Sequence, residues 1–234
     1  MGEEEFDNLL NRLNANGIEG LHTRKEREWL FELAGKAKGN IVEIGSFLGH
    51  STIIMAKGTN GGTVYAIDPH IGICQQGDED NSAPVGDTWK AFNTNIAFME
   101  VSHKIQPLKM TSEAAVANWD KPIDLLFIDG SHRYKDVKKD FLLWKEHLGS
   151  GSVVVFHDCW QYGPRRVITE LLIRDPNFGK FKLTTCCMFW AVYRPVTPGK
   201  SSRRIWLTVF RLRALLRNKF LRGKLLAVAR WVGR

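Results

Sequence analysis

Short apolar runs alternate over most of the chain with longer segments in which apolar residues recur at helical spacing. Seven of the apolar runs have the length and composition of β-strands. They cover residues 41–45, 63–67, 105–109, 123–128, 152–157, 181–186 and 188–193, and two helices are expected ahead of them, near residues 3–14 and 23–37. Strands that alternate with helices predict an α/β fold with a mostly parallel sheet.

The last two runs differ from the others because only one residue, Cys187, separates them. A crossover between parallel strands needs a dozen or more residues, whereas an antiparallel hairpin needs only a tight turn. We therefore predict a seven-stranded Rossmann-like sheet that ends in an antiparallel hairpin at one edge, with helices on both faces.

The loop after the first strand carries two spaced glycines, Gly45 and Gly49. Glycine allows a tight turn and a close approach of the backbone to a ligand, and a helix is expected to begin at Ser51. Phe47 stands where the dinucleotide-binding pattern has its second glycine. The loop therefore favours a nucleotide-type cofactor that lacks a pyrophosphate.

The second strand supports a bound cofactor over the alternative, a tight turn that binds nothing. This strand ends in Asp68. Related α/β folds place a carboxylate at this position, where it accepts hydrogen bonds from the ribose hydroxyls. The two motifs agree in their order and spacing along the chain.

Two further carboxylates, Asp129 and Asp158, follow the fourth and fifth strands. Ends of neighbouring parallel strands lie side by side, so the pair could share a hard cation such as Mg²⁺. His132 follows Asp129 closely and could act as a general base. The alternative is structural: Asp129 caps the next helix, His132 lies at the surface, and His157 packs with Asp158.

Taken together, the segments 43–51, 67–69, 127–132 and 156–158 resemble the class I S-adenosylmethionine-dependent O-methyltransferases. The similarity covers about residues 25–194. Within that class, the Asp-Gly-x-His-x-Tyr pattern from Asp129 and the later His157-Asp158 pair are similar to the metal-dependent branch that acts on sugar hydroxyls of natural products and polysaccharides.

The resemblance implies a role for each motif. Glu43, Gly45 and Ser51 would contact the methionine part of the cofactor, Asp68 its ribose, and Ser112 the adenine edge. Asp129 and Asp158 would hold Mg²⁺, with His132 as the base. The full set of implied cofactor-binding residues is Glu43, Gly45, Ser46, Gly49, Ser51, Asp68 and Ser112.

One position departs from the catechol-type members of the family, which carry Asn directly after the second Asp. This chain has Cys159 there, a poor ligand for a hard cation. The third metal ligand is therefore open. It could be His132, a water molecule or an acid within 78–80, or His132 could act without a metal.

The charge of the chain is unevenly distributed. Of its 234 residues, 44% are hydrophobic, enough for one substantial core, and the formal net charge is +8. Residues 200–234 hold 11 Lys and Arg and no acid, which leaves a net charge of −3 on the rest. We predict N-terminal helices in residues 1–38, the methyltransferase domain in 39–195 and a basic tail in 196–234.

The tail has the pattern of a basic amphipathic helix within residues 203–232. No apolar run in it is long enough to span a bilayer, and the acidic N-terminus lacks a secretory signal. We expect a cytoplasmic protein whose tail lies on the anionic inner face of the membrane. An RNA-binding tail, a helix for homo-oligomerisation and a helix folded against the domain are the alternatives.

These features predict an O-methyltransferase that uses S-adenosylmethionine and methylates a hydroxyl of a sugar or related metabolite, free or lipid-linked. Two other functions stay open. The first is an RNA methyltransferase that uses the basic tail, although the rest of the chain is acidic. The second is a non-catalytic, membrane-docked scaffold that binds the cofactor.

Overall fold

The computed structural model describes residues 3–18, 20, 22–71, 73–75, 82–84, 87–185 and 187–195. Its strands are β1 Asn40–Ile44, β2 Val64–Asp68, β3 Ile73–Gln75, β4 Ser82–Pro84, β5 Ile105–Lys109, β6 Ile123–Ile128, β7 Leu148–Phe156, β8 Phe178–Thr184 and β9 Met188–Tyr193. Its helices are α1 Glu3–Ala15, α2 Arg24–Lys36, α3 His50–Gly58, α4 Thr88–Phe98, α5 Ser112–Val116, α6 Tyr134–Trp144 and α7 Tyr162–Val167.

Seven strands form one sheet in the order β5-β2-β1-β6-β7-β9-β8. The first five are parallel, and β9 runs antiparallel to both β7 and β8. The predicted fold class is therefore confirmed, including the terminal hairpin. The predicted helices ahead of the first strand are also confirmed, as α1 and α2.

Two details differ from the prediction. Strand β7 begins at Leu148, which pairs with Ile123. The glycines that follow Leu148 interrupt the apolar pattern, so the sequence places the start of this strand too late. The segment between β2 and α4, where none of the seven predicted strands falls, contains the short antiparallel pair of β3 and β4.

Side chains of the central strands alternate between two cores, as the two-residue period of a strand requires. In β1, Ile41 joins the core that contains α1, α2 and α3, whereas Val42 joins the core that contains α6. The same alternation along β6 assigns Phe127 to the α2 and α3 side. By this period, Glu43 and the residues directly after β6 and β7 face α2 and α3.

Helix α2 begins with a capping box. The Thr23 side chain accepts a hydrogen bond from the backbone N–H of Glu26, and the Glu26 carboxylate accepts one from the Thr23 N–H at 2.7 Å. This arrangement satisfies free N–H groups at the start of the helix. It also fixes the Glu26 side chain, which is buried at the inner end of α2.

Within the described residues, no helix has both the length and the apolar character needed to cross a bilayer. The predicted amphipathic helix in 203–232 lies outside the described residues and stays a prediction.

Candidate active site

The glycine loop after β1 turns as the sequence predicts. Gly45 and Gly49 have φ angles of +93° and +87°, which favour glycine. A Cβ atom on Gly45 would lie 2.5 Å from the backbone oxygen of Asp129. Gly45 therefore allows the loop to pack directly against the segment that follows β6. Helix α3 begins at His50, one residue before the predicted start.

Glu43 is fully buried beneath this loop. Its carboxylate accepts hydrogen bonds from the hydroxyls of Ser51 and Thr52 in the first turn of α3. Burial raises the pKa of Glu43 to about 8, against the lowering effect of the two hydroxyls. Glu43 thus ties β1 to α3, and Ser51 is its partner.

Ser46 supplies an unsatisfied polar group in the same loop. The residue is buried, and its hydroxyl has no hydrogen-bond partner among the described residues. A buried hydroxyl without a partner costs about 1–3 kcal/mol, and a bound ligand can remove that cost. The predicted cofactor would be such a ligand.

Asp68 ends β2 beside the glycine loop. One carboxylate oxygen accepts a hydrogen bond from the backbone N–H of Phe47 at 3.0 Å, and the other accepts one from His70 at 2.7 Å. These two bonds fix the orientation of the carboxylate. Each oxygen keeps a lone pair, because a carboxylate offers about four acceptor sites, so the ribose hydroxyls could still bind.

Ser112 begins α5, after β5. Its hydroxyl accepts a hydrogen bond from the indole N–H of Trp144 at 2.8 Å and also interacts with the buried Asp140. The side chain is therefore engaged with α6. Its predicted contact with adenine stays a prediction.

The structure brings the metal and base candidates together. Asp129 Oδ1 lies 3.0 Å from His157 Nδ1, and Asp158 Oδ2 lies 3.3 Å from His132 Nε2. Helix α6 begins at Tyr134 with Arg133 as its N-cap, so Asp129 does not cap it. The structural alternative is wrong for Asp129 and for His132, whose side chain is only 13% exposed.

Three residues of this site were missed by the sequence analysis: His22, Glu26 and His50. His22 Nε2 lies 3.2 Å from Asp129 Oδ2, and Glu26 Oε2 lies 4.0 Å from His157 Nε2. The His50 ring stacks on that of His22, with centroids 5.7 Å apart. The signal available in the sequence was the capping box of Thr23 and Glu26. A capping box marks the residue at which α2 begins, but it does not show where in the fold that first turn lies.

The electrostatics of the site follow from burial and from these pairs. Burial opposes the charged form of His157, but the Asp129, Asp158 and Glu26 carboxylates outweigh it and raise the His157 pKa well above its usual range. Burial also opposes the charge on Asp129, yet His157 and His22 hold the Asp129 pKa well below its usual range.

Burial and neighbouring charges also set the pKa values of His50 and Asp158. Burial, followed by the proximity of His22, lowers the pKa of His50 to about 3. Burial opposes the charge on Asp158, but His132 and His157 keep the Asp158 pKa low.

Among the residues that the structure describes, two groups of three side chains could each hold a metal ion. The first is His22, Asp129 and His157, and the second is Asp129, His132 and Asp158. Within each group the ligand atoms all lie within 4.8 Å of one another. Cys159 is buried in the core and belongs to neither group, and the acids at 78–80 lie outside the described residues.

The sheet order, the terminal hairpin, the glycine loop and the acid after β2 define the class I S-adenosylmethionine-dependent methyltransferase fold. Residues 42–159, about half of the chain, match the model of a family described as a methyltransferase domain. The chain belongs to this family.

Solved structures share the fold. One is an O-methyltransferase from Bacillus cereus in complex with SAH, at 17% identity and a TM-score of 0.58, covering 83% of this chain and 92% of that one. Another is the O-methyltransferase TomG from Streptomyces achromogenes, involved in tomaymycin synthesis and bound to SAM, at 16% identity and a TM-score of 0.56, with 83% and 91% covered. An rRNA methylase from Streptococcus thermophilus matches at 11% identity with a TM-score of 0.51, with 75% and 99% covered.

Two curated relatives carry no described function. An uncharacterized protein of Acanthamoeba polyphaga mimivirus is 32% identical over 126 residues, which make up 52% of each chain. An uncharacterized protein of Sinorhizobium fredii is 31% identical over 164 residues, which are 68% of this chain and 15% of that protein. The chain thus spans about half, or less, of the relatives it matches.

Proposed function

We propose that the protein transfers the methyl group of S-adenosylmethionine to a hydroxyl of a sugar or a related small metabolite. The observation that carries this proposal is the close pair of His132 and Asp158 beside Asp129, at the same edge of the sheet as the glycine loop. Ligands of open α/β sheets bind at this edge, beyond the carboxyl ends of the strands.

The cofactor would lie over the glycine loop. Gly45 and Gly49 allow the backbone to turn, and Ser46 would offer the methionine part its hydroxyl, which has no hydrogen-bond partner in the described part of the chain. Asp68, already oriented by two backbone N–H groups, would accept the ribose hydroxyls. Glu43 and Ser51 would act mainly by holding α3 against β1.

Methyl transfer to a hydroxyl requires that the acceptor lose its proton. In the proposed step the acceptor oxygen attacks the methyl carbon, the bond from that carbon to sulfur breaks, and the sulfonium becomes a neutral thioether. The hydroxyl proton passes to His132, and the carboxylate of Asp158, 3.3 Å away, stabilises the resulting imidazolium. Holding both reactants in line supplies much of the remaining acceleration.

The second group of ligands supports the proposed Mg²⁺ site. Asp129 and Asp158 provide carboxylate oxygens, the ligands that Mg²⁺ prefers, and water could complete the shell. When bound there, the ion would lower the pKa of the acceptor hydroxyl. His132 cannot serve as ligand and base at once, so we assign it to the base.

The nature of the acceptor rests on the resemblance and on the neighbours. TomG is involved in tomaymycin synthesis, and the similar structures include further O-methyltransferases. The rRNA methylase shares the fold only, and the net charge of −3 outside the tail does not favour RNA. A lipid-linked acceptor at the membrane inner face, RNA binding, oligomerisation and a scaffold role all depend on residues 203–232 and stay predictions.

Two measurements test the proposal. Calorimetric titration of the full chain with S-adenosylmethionine should show binding that Asp68→Ala weakens about tenfold or more, because the ribose loses its acceptor. The exposed Asp120→Ala, in the loop before β6, is the matched control and should bind normally. Absence of binding by the wild type would overturn the proposal.

The second measurement is transfer of labelled methyl from S-adenosylmethionine to a panel of sugars and polyols. Product should form with at least one hydroxyl acceptor. Binding of the cofactor without transfer to any acceptor would favour the scaffold interpretation instead.

A further inference from the structure

Three histidines and two carboxylates meet on the α2 and α3 side of the site. We refer to His22, His50, His157, Asp129 and Glu26 as the histidine cluster. His22, His50 and His157 are each at least 93% buried. The cluster shares Asp129 with the proposed Mg²⁺ site but is richer in ring nitrogen atoms.

We propose that His22, Asp129 and His157 bind a divalent transition-metal ion of the Zn²⁺ type. The three ligand atoms lie within 4.8 Å of one another. Two imidazoles and one carboxylate form a donor set that suits Zn²⁺ and similar ions and leaves coordination positions open. A hard ion such as Mg²⁺ prefers oxygen ligands and would favour Asp158 instead of the two rings.

Unsatisfied nitrogen atoms point independently to a ligand. Both ring nitrogens of His22 are buried and lack a hydrogen-bond partner among the described residues. His22 Nε2 nevertheless lies 3.2 Å from Asp129 Oδ2, so the ring approaches the carboxylate without a good hydrogen-bond geometry. An ion between the two groups would satisfy the nitrogen lone pair and the carboxylate together.

His157 has a carboxylate, that of Glu26, on the side where a metal-binding histidine usually has its outer partner, although it lies beyond hydrogen-bond distance. Its Nδ1 faces Asp129, and its Nε2 faces the Glu26 carboxylate at 4.0 Å. Glu26 is itself held by the Thr23 N–H at 2.7 Å and by the Thr185 hydroxyl at 2.7 Å. A carboxylate behind the ring orients a metal-bound imidazole and raises its basicity. When the ion binds, it replaces the proton on Nδ1 of His157, and that proton is released to solvent.

The segment before α2 packs closely on His50, and this packing places His22 in the histidine cluster. A Cβ atom on Gly20 would clash with the His50 ring, so only glycine lets this segment pass so close. The rings of His22 and His50 then stack, nearly parallel, at an interplanar angle of 8°. His50 thus fixes the plane of His22 without itself belonging to the ligand group.

The proposed ion site adds to the proposed function. It rests on that function only in one respect, that the ion would lie beside the reacting hydroxyl. Ion binding itself requires neither the cofactor nor an acceptor. Titration of the metal-free wild type with S-adenosylmethionine therefore tests the proposed function separately, and either proposal can fail while the other stands.

The experiment is calorimetric titration of the chelator-treated full chain with Zn²⁺, alongside Co²⁺ absorption spectra. We expect one ion per chain, and we expect His22→Ala and His157→Gln each to weaken binding by about 100-fold. His132→Gln alters only the oxygen-rich group, which is the group of Asp129, His132 and Asp158; it is the matched control and should bind within about threefold of the wild type. Asp158→Asn also removes a charge 3.5 Å from His157 Nδ1, so it should weaken binding, but less than His22→Ala does. Circular dichroism checks that each variant is folded.

A measurement on the wild type avoids any dependence on how the variants fold. Zn²⁺ should shift the imidazole NMR signals of His22 and His157 and leave that of His132 nearly unchanged. Loss of Zn²⁺ binding in Asp158→Asn but not in His22→Ala would assign the ion to the oxygen-rich group and overturn the inference. Failure of the wild type to bind Zn²⁺ would overturn it as well.

Discussion

Nδ1 of His157 lies 3.0 Å from Oδ1 of Asp129, although the two residues follow different strands. The parallel pairing of β6 with β7 explains the contact, because Ile128 is in register with Phe156 and the next residue of each strand faces the same side. Asp129 and His157 therefore form an ion pair between neighbouring strand ends. This pair joins the glycine loop, through Gly45, to the N-terminal segment, through His22.

Asp129→Asn should destabilise the protein, because it leaves the charged and buried His157 without its nearest carboxylate. Breaking a buried pair in this way typically costs about 3 kcal/mol or more. Urea unfolding of the chelator-treated protein measures the change. Asp124→Asn is a useful control, because Asp124 also accepts two hydrogen bonds, from the N–H groups of Lys38 and Gly39, but has no imidazole partner within the described part of the chain. Equal losses in the two variants would contradict the importance of the ion pair.

The raised pKa of Glu43 should make the folded protein less stable as the pH rises. This pKa is raised from 4.5 to about 8 in the folded chain, because burial penalises the charged carboxylate. The folded state therefore keeps a proton that the unfolded state releases, and the resulting stability is full below pH 4.5 and lost as the pH rises through about 8. Glu43→Gln has no such proton to lose, so its melting temperature should fall less than that of the wild type between pH 5 and pH 9.

The control for this experiment is Glu146→Gln, because the Glu146 side chain is 71% exposed. Its melting temperature should follow that of the wild type across the same pH range. If Glu43→Gln also followed the wild type, the Glu43 carboxyl would have to be ionised throughout the range, contrary to the effect of its burial.

Gly45→Ala should be more damaging than an ordinary substitution of a glycine with positive φ. The new Cβ atom would lie 2.5 Å from the backbone oxygen of Asp129, so strand ends β1 and β6 would have to separate. Gly151→Ala is a matched control, because Gly151 has a φ of +96° and a Cβ atom added there would have no atom of the described residues within 4 Å. Gly151→Ala should cost about 1–2 kcal/mol for the dihedral alone, and Gly45→Ala clearly more.

Affinity for S-adenosylmethionine separates the two glycine variants further. Gly45→Ala moves the loop that would bind the cofactor, whereas Gly151 lies near the start of β7, away from the strand ends. We expect calorimetry to show weaker binding for Gly45→Ala alone. Equal binding by both variants would indicate that the cofactor does not contact this loop.

The positions of the strands along the chain and the residues at their carboxyl ends could be predicted from the sequence, because both depend on local patterns. A strand has a two-residue period, and a parallel sheet collects its carboxyl ends at one edge. That reasoning correctly predicts that Asp129, His132 and Asp158 lie together. The same reasoning predicts where Ser112 lies along the chain but not the direction of its side chain. That direction is set by a hydrogen bond from Trp144, which belongs to a different helix.

His22 and Glu26 could not be found in the same way, because they precede the first strand. Their position depends on how α2 docks on α3, where the backbone oxygen of Phe31 leaves no room for a side chain at Gly58. This contact joins residues that are distant in sequence and leaves no periodic signal in either helix. The nitrogen-rich half of the site therefore emerges only from the tertiary structure.

His132 and Asp158 should act as a unit in methyl transfer. Loss of a general base typically lowers the rate by about 10²–10⁴, and loss of the carboxylate 3.3 Å from it should lower kcat through the same step. We therefore expect His132→Gln and Asp158→Asn each to reduce kcat strongly, and the double variant to be scarcely slower than His132→Gln, since groups that act together are not additive. The affinity for S-adenosylmethionine should change little, and the exposed Lys135→Ala should behave as the wild type. Single-turnover kinetics with the labelled cofactor measure the rate of the methyl-transfer step separately from product release. Strictly multiplicative losses in the double variant would show that the two side chains contribute independently.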